Sequence, residues 1–158
     1  MTLHDYVRDP NNHIVSIYSH GNEICICDHN EDVIVQLSDA PNYSETIFYS
    51  MACMTAQGLG KAMQTNNCTL YYGFDNESYY VDDNDPYLES FFINTHNFAL
   101  RLLLSGITDP EKIIEETTNY FLNIVDEIRD IYPAWRGLIR DNLDRITILA
   151  NGKIFKRK

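Results

Sequence analysis

The sequence predicts an α/β fold in which a mainly parallel sheet is flanked by helices. Three observations carry this expectation. Short apolar runs rich in β-branched and aromatic residues recur at His13–Ser19, Glu45–Ala52, Cys68–Phe74 and Arg145–Leu149. Segments of helical period stand between the second run and the third, and again between the third and the last. Gly, Pro and Asn-Gly signals punctuate the boundaries. At 158 residues the chain is expected to make one domain, 1–158, long enough to bury a core without staples.

The elements follow in chain order. Residues 1–12 are polar and end in Asp-Pro-Asn-Asn, a turn signal. His13–Ser19 reads as a strand. Ile24–Cys27 and Val33–Leu37 flank the polar Asp28–Asp32, which is a hairpin pattern. ETIFYSMA, Glu45–Ala52, is a short buried strand. TAQGLGKAMQT, Thr55–Thr65, follows with Leu59, Ala62 and Met63 at helical spacing. Gly58 and Gly60 each cost a free helix about 1 kcal/mol, and they make sense where the helix lies close to a strand. CTLYYGF, Cys68–Phe74, is the next core strand, and Tyr79–Asn84 a polar loop. Leu88–Leu104 reads as a long helix stopped by Gly106. Thr108 is the expected cap of a second helix that holds Pro110 and Glu111 in its first turn and runs to about Ile131. A short amphipathic helix spans Ala134–Asn142. Arg145–Leu149, the Asn151-Gly152 turn and Lys153–Phe155 close the chain as a hairpin.

Composition narrows the function classes. A net charge of −11 argues against a general nucleic-acid binder, since phosphate neutralisation needs clustered Lys and Arg. The one basic cluster, Lys153–Lys158, reads as a solvated end. No apolar run reaches the roughly 20 residues of a membrane span, and no signal-peptide pattern opens the chain. The four cysteines lack disulfide-framework density, so reduced thiols and a cytoplasmic location are expected. Cys25, Cys27 and His29 share a face if their strand continues. They lack the second Cys/His pair of a structural zinc site, and no metal is expected. No phosphate-cradling glycine loop is present, and no cofactor is expected.

The chemistry centres on IYSHGNE, Ile17–Glu23, where an apolar run stops at His20-Gly21. In open α/β sheets ligands sit at the carboxyl ends of strands. His20 ends one strand and Cys53 ends another. If these strands are neighbours, both residues face one crevice. A cysteine attacks as thiolate, favoured at a helix N-terminus or beside an imidazole. Cys53 precedes the helix expected from Thr55, and His20 can supply the imidazole and later protonate a leaving amine. Gly21, with no Cβ, lets its amide approach a substrate closely. The amides of Gly21 and Cys53 can then form an oxyanion hole.

IVSIYSHGNE followed by ETIFYSMACMTAQGLGKAM resembles the caspase-like cysteine peptidases, the group that holds caspases, gingipains, separases and bacterial CHAT domains. Members carry a His-Gly pair after one parallel strand. Their Cys follows the next core strand in an Ala-Cys-x-Ser/Thr-Ala setting, matched here by Ala52-Cys53-Met54-Thr55-Ala56. TLYYGFDNESYYV is similar to the family's next strand, residues 85–117 to the helical region of gingipain- and CHAT-type members, and RDNLDRITILANGKIF to their closing strand. The likeness covers roughly residues 12–155. It implies a caspase-like sandwich and a dyad peptidase, with His20 as general base and acid and Cys53 as nucleophile. It also directs attention to Asp75, just past Gly73-Phe74, as an anchor for a Lys or Arg before the scissile bond.

The family's fold has two more strands and helices ahead of the His strand, where this chain has about twelve residues. The His13–Ser19 strand is therefore expected to present an apolar edge, which is an association hazard. A second chain or a homodimer completing that edge is the expected partner, beside a protein or peptide substrate; neither nucleic acid nor membrane is. By analogy alone, such a peptidase suits a bacterial defence system in which a partner switches on proteolysis. Two other classes stay open: a catalytically silent caspase-like module that binds proteins, and another thiol enzyme such as an acyltransferase.

Overall fold

The computed structural model describes residues 14–81 and 84–157, so His13 and the segment before it lie outside the described residues. The architecture is mixed α/β. Five strands form one sheet: β1 (Ile14–Tyr18), β5 (Ile47–Met51), β6 (Leu70–Phe74), β7 (Ile146–Ala150) and β8 (Lys153–Phe155), in that spatial order. β1 runs parallel to β5, β5 parallel to β6, and β8 antiparallel to β7. A separate three-stranded sheet holds β2 (His20–Gly21), β3 (Cys25–Cys27) and β4 (Val33–Gln36), all antiparallel. The chain divides into two compact units, one reaching to Glu77 and taking in Thr147–Phe155, the other built from Ser78–Ile146.

In the first unit, β5 and β6 are buried along their whole length, which is why they read as continuous apolar runs rather than alternating ones. Their register sets Phe48 beside Tyr71 and Tyr49 beside Tyr72. The first pair stacks with ring centres 5.5 Å apart, and the second with centres 4.5 Å apart. Successive residues point to opposite faces, so each face of the sheet carries one stack. Such pairs contribute about 0.5–1.5 kcal/mol beyond the area they bury. The Phe48–Tyr71 face collects Val15, Ile26, Val35, Tyr43, Leu59, Met63 and Leu149 into one core.

Helix α1 (Leu59–Thr65) lies on this face. A Cβ at Gly60 would stand 2.7 Å from Tyr71 Cδ1 and 3.0 Å from Leu149 Cδ1, so this glycine sets the close approach of helix to sheet. Between β4 and β5 a 3-10 helix, Leu37–Tyr43, buries Ala40 and Tyr43 against the same core. Asn151 and Gly152 both have positive φ, 53° and 70°, as the two-residue β7–β8 hairpin requires.

The second unit holds three helices, α2 (Pro86–Leu104), α3 (Pro110–Glu127) and α4 (Pro133–Arg145), each with Pro at its start. The Asp85 side chain caps α2 by accepting from the amides of Tyr87 and Leu88. The ring of Phe98 stacks on Tyr120 at 4.1 Å, joining α2 to α3. Buried Asn142 accepts from the Tyr79 amide at 2.7 Å and donates to its carbonyl at 2.6 Å, satisfying the backbone of the segment before α2. The Arg145 guanidinium sits 4.6 Å from the centre of the Tyr79 ring. Among the described residues no helix is long and apolar enough to cross a membrane.

Four expectations need correction. The helix expected from Thr55 begins at Leu59; residues 53–58 are turns. The cap of α3 is Asp109, whose side chain accepts from Glu111 N, rather than Thr108. That helix stops at Glu127, short of Ile131. His20-Gly21 is not the tip of β1 but a strand of the smaller sheet.

Candidate active site

His20, Cys53 and Asp75 leave three adjacent strands at one edge of the sheet. Tyr18 is level with Met51 across β1 and β5. His20 and Cys53 each stand two residues beyond that level. Tyr49 is level with Tyr72 across β5 and β6, so Asp75 follows the last β6 residue as Ala52 follows the last of β5. Neighbouring strands lie about 4.8 Å apart. The neighbouring of the two strands, on which a shared crevice depended, is therefore met, and the edge is the carboxyl one.

The turn after β5 is tightly held. Thr55 Oγ1 donates to the Ala52 carbonyl at 3.0 Å and lies 3.1 Å from Ser50 Oγ. Met54 N donates to Asn76 O at 3.1 Å, and Ala56 N to Phe74 O at 3.0 Å. These bonds tie the Cys53 turn to the end of β6. Met54 sits at φ 61°, in the left-handed region, which costs an L residue about 1–2 kcal/mol. The strain falls on the residue next to Cys53. Thr55, noted in the sequence only as part of the Ala52–Ala56 setting, is the side chain that braces this turn.

Gly21 packs on this turn. A Cβ there would lie 2.9 Å from both Ala52 Cβ and Thr55 Cγ2. Close packing alone thus calls for glycine after His20. The amide has a further property. Asn22 N donates to Cys25 O at 3.0 Å, making that a hydrogen-bonded pair of the hairpin. Antiparallel ladders alternate, so Gly21 and Ile26 form a non-hydrogen-bonded pair and the Gly21 N–H points away from β3.

The loop after Gly21 also fixes the start of α1. Glu23 O accepts from Leu59 N at 2.7 Å. A Cβ on Gly58 would stand 2.2 Å from that oxygen. Gly58 therefore answers to this loop, not to a strand. Cys53 therefore does not immediately precede the helix: it stands six residues before the first residue of α1, with turns between.

His20 is exposed, and Cys53, Gly21 and Asp75 are half-buried. An open cavity of about 560 Å³ beside His20 is lined by His20, Gly21, Cys27, Asp28, His29 and Glu31, and Cys53 is not in its wall. The Asp75 carbonyl accepts from Gln57 Nε2. The other thiols differ in character. Cys68 is buried, and burial pushes its pKa up to about 12. The Cys27 thiol is raised by its hydrogen bond with Cys25, by burial, and by the nearby carboxylates Asp28 and Glu31. Among the described residues no three His, Cys, Asp or Glu side chains are placed to hold a metal ion.

No protein family, curated protein or solved structure matches the chain.

Proposed function

We propose that the chain is a caspase-like cysteine endopeptidase working through a His20–Cys53 dyad. The observation that carries this reading is the convergence of His20-Gly21 and the Ala52–Thr55 turn at the carboxyl ends of two parallel, in-register strands. In the proposed reaction His20 takes the Cys53 proton and the thiolate attacks the scissile carbonyl. The oxyanion accepts from the Gly21 and Cys53 amides. The amine leaves with the proton from His20, and water, deprotonated by His20, releases the acid and restores the thiol. Asp75, one strand further along the same edge, would anchor a basic side chain before the scissile bond. The outer side of β1, which pairs only with β5 among the described residues, is where a second chain or second copy would continue the sheet.

One observation favours a second reading. Cys53 is absent from the wall of the cavity beside His20, which suits a silent module that binds proteins through the same crevice. Labelling with a thiol-reactive peptide electrophile bearing Lys or Arg next to the warhead separates the two. The peptidase reading expects one adduct on wild type by intact mass, lost in Cys53→Ala and slowed in His20→Ala. Labelling spread over several cysteines with no dependence on His20 supports the silent module.

A further inference from the structure

We propose that Cys25 and Cys27 form a redox-active dithiol that closes to an intramolecular disulfide when a low-molecular-weight disulfide, such as oxidised glutathione, reaches Cys27 through the cavity beside His20. Their Sγ atoms are already 3.5 Å apart. Residues two apart on a strand share a face. A straight strand spaces their Cα atoms by about 6.6–6.8 Å, at the upper end of what a disulfide spans. β3 is not straight: its register with β4 shifts between Ile26 and Cys27, and such a bulge bends the strand locally.

Access sets the order of events. Cys27 is half-buried and lines the cavity, whereas Cys25 is 9% exposed. The Cys27 thiolate attacks one sulfur of the reagent; the reagent's S–S bond breaks and one thiolate leaves. The Cys25 thiolate then attacks the Cys27 sulfur, expelling the second thiolate. Each protein thiol gives up one proton and each leaving thiolate takes one. The protein dithiol is oxidised and the reagent reduced to its thiols. The hydrogen bond that the Cys27 thiol makes to Cys25 holds its pKa above the ordinary thiol value, so the first step quickens as pH rises.

Closure has a defined neighbourhood. Cys27 pairs with His20 across β2 and β3, and its carbonyl accepts from the Ser19 hydroxyl. Cys25 Sγ lies 3.5 Å from Asn22 Oδ1, which also accepts from the amides of Ile24 and Cys25. Oxidation removes both thiol protons from this cluster and places the disulfide on the residue paired with His20. The disulfide itself stands independently of the peptidase reading; only its effect on activity would rest on it.

The test equilibrates the full chain in glutathione buffers of graded ratio, traps free thiols by alkylation and maps peptides by mass. Expected is a Cys25–Cys27 disulfide that grows with the oxidised fraction, with no lasting glutathione adduct. Cys25→Ser should stall as the adduct on Cys27, and Cys27→Ser should leave Cys25 unmodified. The His20 imidazole NMR signal should shift on oxidation of wild type and not of Cys27→Ser. A stable glutathione adduct on wild-type Cys27, a crosslink to Cys53 or Cys68 instead, or free thiols at every ratio would overturn the proposal. These outcomes are read without any peptidase assay.

Discussion

Replacing Gly58 by Ala probes the link between the two halves of the candidate site. The new Cβ would meet Glu23 O at 2.2 Å and Glu23 C at 3.0 Å. Ordinary carbon–oxygen contact is about 3.3–3.6 Å, so the Glu23 peptide must retreat by about 1 Å. The opposing atoms are backbone, and no rotamer change relieves them. Retreat breaks the 2.7 Å bond from Leu59 N to Glu23 O, a loss of about 0.5–1.5 kcal/mol. Overpacking adds about 1–3 kcal/mol, and the stiffer unfolded chain returns about 0.4–1 kcal/mol. The net expectation is a destabilisation of about 2–3 kcal/mol, read by urea unfolding. Gly137→Ala is the control: nothing lies within 4 Å of its would-be Cβ on α4, and it should stabilise by about 0.5–1 kcal/mol. A Gly58→Ala variant as stable as wild type would refute the reasoning, because the Glu23 peptide would then not cap α1.

Gly21→Ala drives a methyl against Ala52 and Thr55; it should cost about 1–3 kcal/mol and slow the labelling of Cys53 in a folded sample. Asp109→Ala removes the cap of α3 and should cost about 0.5–2 kcal/mol in thermal or urea unfolding. Burial holds the His96 imidazole below its ordinary value, against the opposing hydrogen bond to the Phe92 carbonyl. Its unfolded value is about 6.5, so the stability tied to the neutral ring is complete above that pH and is lost as pH falls through it towards the folded value. The unfolding temperature of wild type should therefore fall more steeply between about pH 7.5 and pH 5 than that of His96→Leu; parallel slopes would contradict this.

The strands were legible because their burial is local information. IFYSM and LYYGF are apolar throughout, and only a two-sided environment tolerates that. The hairpin at Asn151-Gly152 was legible from turn chemistry. The Cys53 turn was not. TAQGLGKAMQT carries a helical pattern from its first residue, yet the amides of Met54, Ala56 and Leu59 donate to Asn76, Phe74 and Glu23, all distant in sequence. The same holds for Gly58, whose glycine answers to a carbonyl 35 positions earlier, the difference between 58 and 23. Thr108 looked like the cap because Glu111 completes a box with it, but the adjacent Asp109 reaches the Glu111 amide instead. For the candidate site, sequence pattern singled out His20, Gly21 and Cys53 and made their meeting depend on neighbouring strands, which β1 and β5 are. It missed that the hairpin carrying His20-Gly21 leaves the larger sheet, and that Thr55 and Asn76 hold the turn opposite.

The central claim is that His20 activates Cys53. The direct measurement is the alkylation rate of each cysteine by iodoacetamide, resolved by peptide mass, in wild type and His20→Ala. Buried Cys68, its pKa pushed up to about 12, serves as the slow internal reference. The account predicts that Cys53 reacts well ahead of Cys68 in wild type and slows at least about tenfold in His20→Ala, a conservative share of what a positioned base contributes, while Cys68 is unchanged. A Cys53 rate that is the same with and without the imidazole would contradict the dyad.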